Sequence, residues 1–319
     1  MPPSPVVAVT TTARLHFGFL DPSGRGPRPF GSFGLSLDRP CTLLSLQRAD
    51  ASSVSGPEAE RAARYLETIA ESCGLSHAYR LRMERVIPSH AGLGSGTQLA
   101  LAVGSAFAAA EGLDLSPIEI AGRLGRGARS GIGIATFETG GAVLDSGPAD
   151  NAALPQLVAR VPFPDDWRVL LIFDDSTKGL DGASEVAAFD ALPDFPEAET
   201  ADLERRTVEH ALPALTQGDF DSFCAEVGHL QACMGAYFGP LQGGGAYTSA
   251  RVADALNWLR GQGVTGLGQS SWGPTGFAFA ASEAAGEALR SALREGGHGS
   301  NLRLVLARGR NEGAEIAID

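Results

Sequence analysis

Three glycines, Gly92, Gly94 and Gly96, alternate with Leu93, Ser95 and Thr97 and are followed by Gln98. Glycine lets the backbone turn tightly and approach a ligand closely. Ser95 and Thr97 add hydroxyl groups to the same few residues. If a helix begins here, its first N–H groups have no partner within the helix and its dipole favours negative charge. The chemistry to expect of such a stretch is the holding of a phosphate or another anion. No lysine follows the glycines, so this is not a Walker A loop, and their spacing is not that of a dinucleotide fingerprint.

The flanking residues must supply that strand-to-helix setting. Tyr79 to Ile87 begins with apolar Tyr79, Leu81 and Met83 alternating with charged Arg80, Arg82 and Glu84, the period of a strand. Leu99 to Ala110 is a run of good helix formers, apolar or small all round, ended by Gly112, so it predicts a buried helix. Val6 to Leu20 is β-branched and alternating, and predicts a strand or a bent pair of strands. Phe30 to Leu37, Cys41 to Leu46, Thr136 to Asp145 and Gln156 to Val161 read as further strands. Glu58 to Ser72 reads as a helix, and Ser116-Pro-Ile-Glu119 is a capping box that starts a short one. Trp167 to Phe173 is a buried strand ending in Asp174 and Asp175. Helices follow over Ala201–Thr216, Asp219–Met234, Ser249–Arg260 and Glu283–Arg294, with closing strands at Asn301–Ala307 and Ala314–Ile318.

The 319 residues suffice for two lobes, and a hydrophobic content of 44% with 19% charged residues is that of a globular chain. No apolar run reaches the ~20 residues of a membrane span. Met1 to Pro5 lacks the basic start and apolar core of a signal peptide. A cytoplasmic protein with no membrane partner is expected. Cys41, Cys73, Cys224 and Cys233 form no CxxC pair, so free thiols are expected. A net charge of −12 argues against nucleic acid as a partner. An anionic small substrate fits only if positive charge is gathered locally. Lys178 is the single lysine, and arginines gather at Arg25, Arg28 and Arg39, at Arg80, Arg82 and Arg85, and at Arg123, Arg126 and Arg129. Guanidinium forks suit phosphate and carboxylate.

Pro88 to Ser95, read as Pro-x-x-x-Gly-Leu-Gly-Ser, resembles the second motif of the GHMP kinase superfamily. Ser130, Gly131, Gly140 and Gly141 match another of its segments, but Gly133 stands where many of these kinases keep an aspartate as base toward the acceptor hydroxyl. Gly266 to Phe279 resembles the third motif, and the first strand resembles the first motif loosely. Within the superfamily the chain resembles the β-ribofuranosylaminobenzene 5′-phosphate synthase family. The features are Gly-Leu-Gly-Ser-Gly-Thr-Gln98, Arg129-Ser-Gly-Ile-Gly-Ile134, Gly179-Leu-Asp-Gly-Ala-Ser-Glu185 and Gly268-Gln-Ser-Ser-Trp-Gly273. The resemblance spans nearly the whole chain.

The resemblance implies an α+β, two-lobed GHMP-kinase-like fold. Residues 1–162 would form a ribosomal-S5-domain-2-like lobe with the phosphate-binding loop, and 163–319 a ferredoxin-like α+β lobe. It implies a transferase that condenses phosphoribosyl pyrophosphate with 4-aminobenzoate, losing CO₂ and pyrophosphate, on the route to tetrahydromethanopterin. Mg²⁺ is implied and no organic cofactor, and a homodimer is expected by analogy. Under this reading Gly92, Leu93, Gly94, Ser95, Gly96, Thr97 and Gln98 form the phosphate loop, with Ser95 or Thr97 reaching Mg²⁺. Arg14, His16 and Arg129 are the catalytic candidates. Arg28, Ser130, Gln269, Ser270, Ser271 and Trp272 are candidates for substrate contact, and Asp21, Asp174 and Asp175 for ribose or metal. Asp174-Asp175 with Thr177 and Gly179 also resembles, incompletely, the ribose-phosphate motif of type I phosphoribosyltransferases. An ATP-dependent GHMP small-molecule kinase and a non-catalytic metabolite-binding member are the alternatives.

Overall fold

The computed structural model describes residues 5–25, 30–148, 154–179 and 182–319. The bent stretch at the start of the chain resolves into β1 (Val7–Thr10) and β2 (Ala13–Asp21), which join different sheets. β1 pairs with β4 (Leu43–Arg48), which leads through β6 (Tyr79–Arg85) to β5 (Ser53–Ser55). On its other side β1 takes β13 (Glu315–Ile318), so the last strand lies beside the first. β2 pairs with β3 (Phe30–Leu37), and β7 (Ala142–Asp145) and β8 (Leu157–Val161) complete the second sheet.

α1 (Ala59–Ser72) and α2 (Ser95–Glu111) follow, and α2 packs on β1, β4 and α1. Its small residues let neighbours come close: a Cβ on Gly104 would lie 2.2 Å from Ile120 Cγ2 of α3 (Pro117–Arg123). The Ser116–Glu119 capping box is present in both directions. The strand expected over Thr136–Asp145 is corrected. Ile132–Thr139 is a helix, α4, and only Ala142–Asp145 is extended. Residues 132–137 are buried all round, and a short run buried on every side carries no period by which to tell helix from strand.

In the carboxy-terminal half, β9 (Arg168–Phe173), α9 (Ala250–Gly261), β10 (Leu267–Gln269), β11 (Gly276–Ala280), α10 (Glu283–Glu295) and β12 (Arg303–Arg308) follow in that order. The strands form an antiparallel sheet in the order β10-β11-β9-β12, which is the split βαβ arrangement of a ferredoxin-like lobe. Between β9 and α9 the chain inserts α5 (Gly182–Ala191) and α6 (Glu197–Arg206), then a π-helical turn (Thr207–Ala211), α7 (Leu212–Gln217) and α8 (Phe220–Phe238). Cys41, Cys73, Cys224 and Cys233 are free thiols. Among the described residues no helix is long and apolar enough to cross a membrane.

One aromatic core joins the two halves. Phe17 of β2 meets Phe33 of β3, Phe223 of α8, and Phe277 and Phe279 of β11, with ring centroids 4.9 to 6.2 Å apart. Each of these rings is at most 2% exposed. Burying such a ring contributes on the order of 2 kcal/mol.

At the end of β9, Asp174 accepts hydrogen bonds from the Ser176 N–H and hydroxyl (3.0 and 2.5 Å), the Thr177 hydroxyl (3.0 Å) and the Ser249 hydroxyl (2.7 Å). Ser249 is also the N-cap of α9, so this carboxylate ties the sheet to the helix. Burial alone would raise its pKa, but the hydroxyl and N–H donors bring it from 3.8 down to about 2. A carboxylate depressed by folding stabilises above its unfolded pKa and loses that contribution as pH falls through the folded one. Asp174→Asn is therefore expected to cost about 2 kcal/mol at neutral pH. Denaturant titrations should show wild-type stability falling between roughly pH 4 and pH 2, with a flatter profile for the variant over that window.

Candidate anion-binding active site

The glycine loop hands directly into α2, which starts at Ser95, earlier than its apolar pattern indicates. Gly92 and Gly94 have φ of 80° and 76°, a region in which a side chain is strained. The Arg14 N–H donates to the Leu93 carbonyl (3.1 Å), and its guanidinium Nη1 donates to the Gly92 carbonyl (2.8 Å). The Ser270 hydroxyl donates to that same Gly92 carbonyl (2.7 Å) and accepts the backbone N–H of His16 (3.0 Å). Here backbone meets backbone: a Cβ would lie 2.1 Å from the Ser270 carbonyl oxygen at Gly92 and 2.2 Å from Ala91 C at Gly273. At Gly179 it would lie 2.5 Å from the Trp272 carbonyl oxygen.

A cavity of about 480 Å³ opens over this loop. Arg14, Arg61, Arg126 and Arg129 line it together with His16 and His90, and no aspartate or glutamate does so among the described residues. Two of the guanidiniums lie against the first turn of α2. A Cβ on Gly96 would come within 2.7 Å of Arg61 Nη2 and 2.9 Å of Arg126 Nη2. A cation at a helix N-terminus opposes the dipole, at a cost of about 0.3–1 kcal/mol each. Glu58 offsets part of this, 3.7 Å from Arg61 Nη1. Buried Arg126 Nε has no hydrogen-bond partner among the described residues. An anion seated at Gly94–Thr97 would satisfy the N–H groups and both guanidiniums together.

One side of the lining is aromatic. His16, Phe19 and Trp272 form a wall shared with a chamber of about 30 Å³ behind it. His16 packs edge-on against Phe19, with ring centroids 4.7 Å apart. Burial, and next Arg14, hold its pKa well below 6.5, so the ring is neutral at neutral pH. Trp272 is fixed between Phe238 (4.7 Å) and Phe189 (5.5 Å), and the Arg129 guanidinium lies 4.5 Å over the Phe189 ring.

Asp145, at the end of β7, holds the arginine-bearing segment in place. It accepts from the Ser32 hydroxyl and N–H (2.6 and 3.0 Å), Gly131 N–H (2.7 Å), Gly147 N–H (2.8 Å) and the Ser130 hydroxyl (3.3 Å). Burial raises its pKa while those donors pull it down, the net direction being upward. Gly133 faces the loop, where a Cβ would lie 3.0 Å from Thr97 Cγ2.

The structure thus gathers Arg14, His16, Gly92, Gly94, Ser95, Gly96, Thr97, Arg129, Ser130, Ser271 and Trp272 around one cavity. Other candidates lie elsewhere. Leu93 is buried, and Gln98 is a strut whose Nε2 donates to the Gly133 carbonyl (2.8 Å). Ser270 braces the loop from below. Gln269 is spent on Gln231, Gln242 and the Thr248 N–H. Asp21 closes its own turn by accepting from the Ser23 hydroxyl (2.6 Å). Asp174 is occupied as described, and Asp175 pairs with Arg303 at the surface (2.8 Å). None of these three acids lines the cavity. Arg28 lies outside the described residues.

Arg61, His90, Phe19 and Asp145 had no signal in the sequence. Arg61 sits on an amphipathic helix where arginine normally marks a solvated face, and Asp145 ends an ordinary strand. Among the described residues no three His, Cys, Asp or Glu side chains cluster as metal ligands. Among the described residues the cavity offers hydroxyls and cations and no carboxylate, a donor set that fits phosphate oxygens and does not by itself fit a resident Mg²⁺. A larger groove, about 1320 Å³, runs along α8, Gly243–Gly245 and α9, but its lining mixes Asp254 with Arg260 and it does not touch the glycine loop.

Gly92→Ala should lower the thermal midpoint more than Gly112→Ala. Both glycines have positive φ, yet only at Gly92 would the new methyl meet backbone, since nothing lies within 4 Å at Gly112. Equal losses in paired melting curves would mean that the backbone seam imposes no constraint of its own.

Residues 59–141 match the GHMP kinases N terminal domain, and residues 211–299 match the GHMP kinases C terminal family. A beta-ribofuranosylphenol 5'-phosphate synthase of Archaeoglobus fulgidus is 30% identical over 331 residues, covering 98% of this chain and 100% of the relative. One of the same name from Methanothermobacter thermautotrophicus is 27% identical over 328 residues, covering 96% and 97%. In structure the chain is similar to mevalonate diphosphate decarboxylase from Staphylococcus aureus, with a TM-score of 0.67 at 14% identity over 98% of each chain. The fold is the two-lobed α+β fold of the GHMP kinases, and the chain belongs to the beta-ribofuranosylphenol 5'-phosphate synthase family.

Proposed function

We propose that this chain is a pentosyltransferase that joins phosphoribosyl pyrophosphate to a para-substituted benzoate with loss of CO₂ and pyrophosphate. The motifs imply 4-aminobenzoate, giving β-ribofuranosylaminobenzene 5′-phosphate for tetrahydromethanopterin. The name of the relatives carries a phenol, which favours 4-hydroxybenzoate as a second reading. The observation that supports the transferase best is the gathering of four guanidiniums, two of them against the N-terminus of α2, in a chain of net charge −12. Such a site suits a substrate with a diphosphate and a second phosphate.

In this reading the diphosphate sits at Gly94–Thr97 under Arg61 and Arg126. These groups stabilise the charge that grows on it as the C1–O bond breaks and its electron pair leaves with pyrophosphate. Mg²⁺ belongs to this reading as a companion of the diphosphate substrate. The ring carbon bearing the carboxylate, made electron-rich by the para amino or hydroxyl group, forms the new bond to the anomeric carbon. The bond to the carboxylate then breaks, its electrons restore the aromatic ring, and CO₂ departs. CO₂ leaves from the position where ring substitution normally loses a proton, so no protein base is needed. That agrees with glycine at position 133 and with a described lining that holds no carboxylate. A kinase would need a group to take the acceptor's proton, which makes the ATP-dependent alternative the weaker one.

The deciding assay follows ¹⁴CO₂ from carboxyl-labelled 4-aminobenzoate or 4-hydroxybenzoate with phosphoribosyl pyrophosphate and Mg²⁺, beside a tube with ATP. Release that requires phosphoribosyl pyrophosphate and not ATP is expected. No release with either acid would overturn the reading. Arg126→Ala should raise KM for phosphoribosyl pyrophosphate by about tenfold or more, the worth of a charge-assisted contact, and move KM for the acid much less. An unchanged KM would take Arg126 out of the diphosphate site.

A further inference from the structure

We propose that Trp272 and His16 read the electron-donating group of the aromatic acid and set the preference between a ring hydroxyl and a ring amine, an inference that rests on the transferase reading above. The reaction itself orients the ring. The carbon bearing the carboxylate must meet the anomeric carbon, next to the diphosphate held at Gly94–Thr97. The donor group stands at the other end of the ring and so points away from that cationic end. The aromatic part of the lining, His16, Phe19 and Trp272, is where it can go.

Two residues of that wall each carry a buried polar atom without a hydrogen-bond partner among the described residues, His16 Nε2 and Trp272 Nε1. Their residues are only 2% and 5% exposed. Buried polar groups are nearly always paired, so two orphans on one wall mark the polar end of a ligand. Both residues also border the chamber of about 30 Å³, roughly the space of one water or one polar substituent. Packing against Phe189 and Phe238 fixes the direction of the indole.

The two orphans have different capacities. The indole N–H can only donate. The neutral imidazole can accept at Nε2. A ring hydroxyl satisfies both, its O–H donating to His16 and its oxygen accepting from Trp272. An arylamine donates to His16, but its lone pair is delocalised into the ring, and Trp272 is left without an acceptor. A site built to hydrogen-bond a hydroxyl discriminates against an analogue that leaves its buried donor unpaired. Of the two acids considered above, this pair selects the hydroxy acid.

The test compares kcat/KM for 4-hydroxybenzoate and 4-aminobenzoate, by CO₂ release, in wild type, Trp272→Phe and His16→Phe. Calorimetry gives Kd for both acids in the same three proteins. Wild type should favour the hydroxy acid by about tenfold or more. Trp272→Phe keeps the ring packing and loses the N–H. It should lower kcat/KM for the hydroxy acid by about tenfold while leaving the amino acid within about twofold. His16→Phe should weaken both. A wild-type ratio near one, or a Trp272→Phe variant that lowers both acids equally or neither, would overturn the proposal. The wild-type ratio needs no variant, so a substitution that fails to fold does not rescue it. If wild type releases no CO₂ from either acid, the transferase reading fails separately. Calorimetry then still decides this inference: a preference for the hydroxy acid that Trp272→Phe abolishes upholds it, and equal or absent binding overturns it.

Discussion

Close backbone contact between two distant stretches is the constraint on which the site depends. Ala91–Gly92 lies against Ser270 and Gly273, and Gly179 lies against Trp272, at separations where no Cβ fits. Ser270 then bonds both the Gly92 carbonyl and the His16 N–H. Three parts of the chain, residues 14–16, 92 and 270–273, are thereby set relative to one another by close main-chain contact and by the Ser270 hydroxyl. The anion loop and the aromatic wall, to which β2 and residues 271–273 both contribute, can face a single cavity because the seam between them is so thin. The buried rings around Phe17 supply the adhesion beneath it and leave the seam to supply alignment.

Charge is organised on the same plan. A chain with a net charge of −12 has every reason to repel phosphate, yet the described lining of this cavity carries only cations. The carboxylates that could spoil it are occupied elsewhere. Asp145 is enclosed by N–H and hydroxyl donors, Asp174 caps a turn and reaches α9, and Asp175 faces Arg303 at the surface. Arg61 and Arg126 lean on the positive end of α2, an arrangement at odds with the helix dipole until an anion is present. On the proposed reading, a bound anion would satisfy groups that the protein alone leaves opposed, which is what preorganised recognition requires.

Much of the fold could be read from local chemistry. Alternation over Tyr79–Met83, the small apolar run after Gln98, and the Ser116–Glu119 capping box each act through neighbours in sequence, and each appears as expected. Ile132–Thr139 misleads because a segment buried on every side shows no pattern. The insertion between β9 and α9 shows the reverse limit. The helical stretches over Ala201–Thr216 and Asp219–Met234 were legible, but α5 was not, and the π-helical turn between α6 and α7 packs against α8, a distant contact that no local pattern encodes.

Composition and motif were enough to point to a two-lobed α+β chain and to its family, and a glycine turn before a helix, which acts through its own backbone, was enough to suggest the anion site proposed at Gly92–Thr97. Which side chains complete the site was a matter of tertiary structure. Arg61 comes from a helix that reads as surface, and Asp174 and Asp175, promising as a pair, are drawn into a turn and an ion pair away from the cavity. Whether His16 and Trp272 share a wall depends on residues more than 250 positions apart meeting across the seam, and no local pattern in the chain encodes that distance.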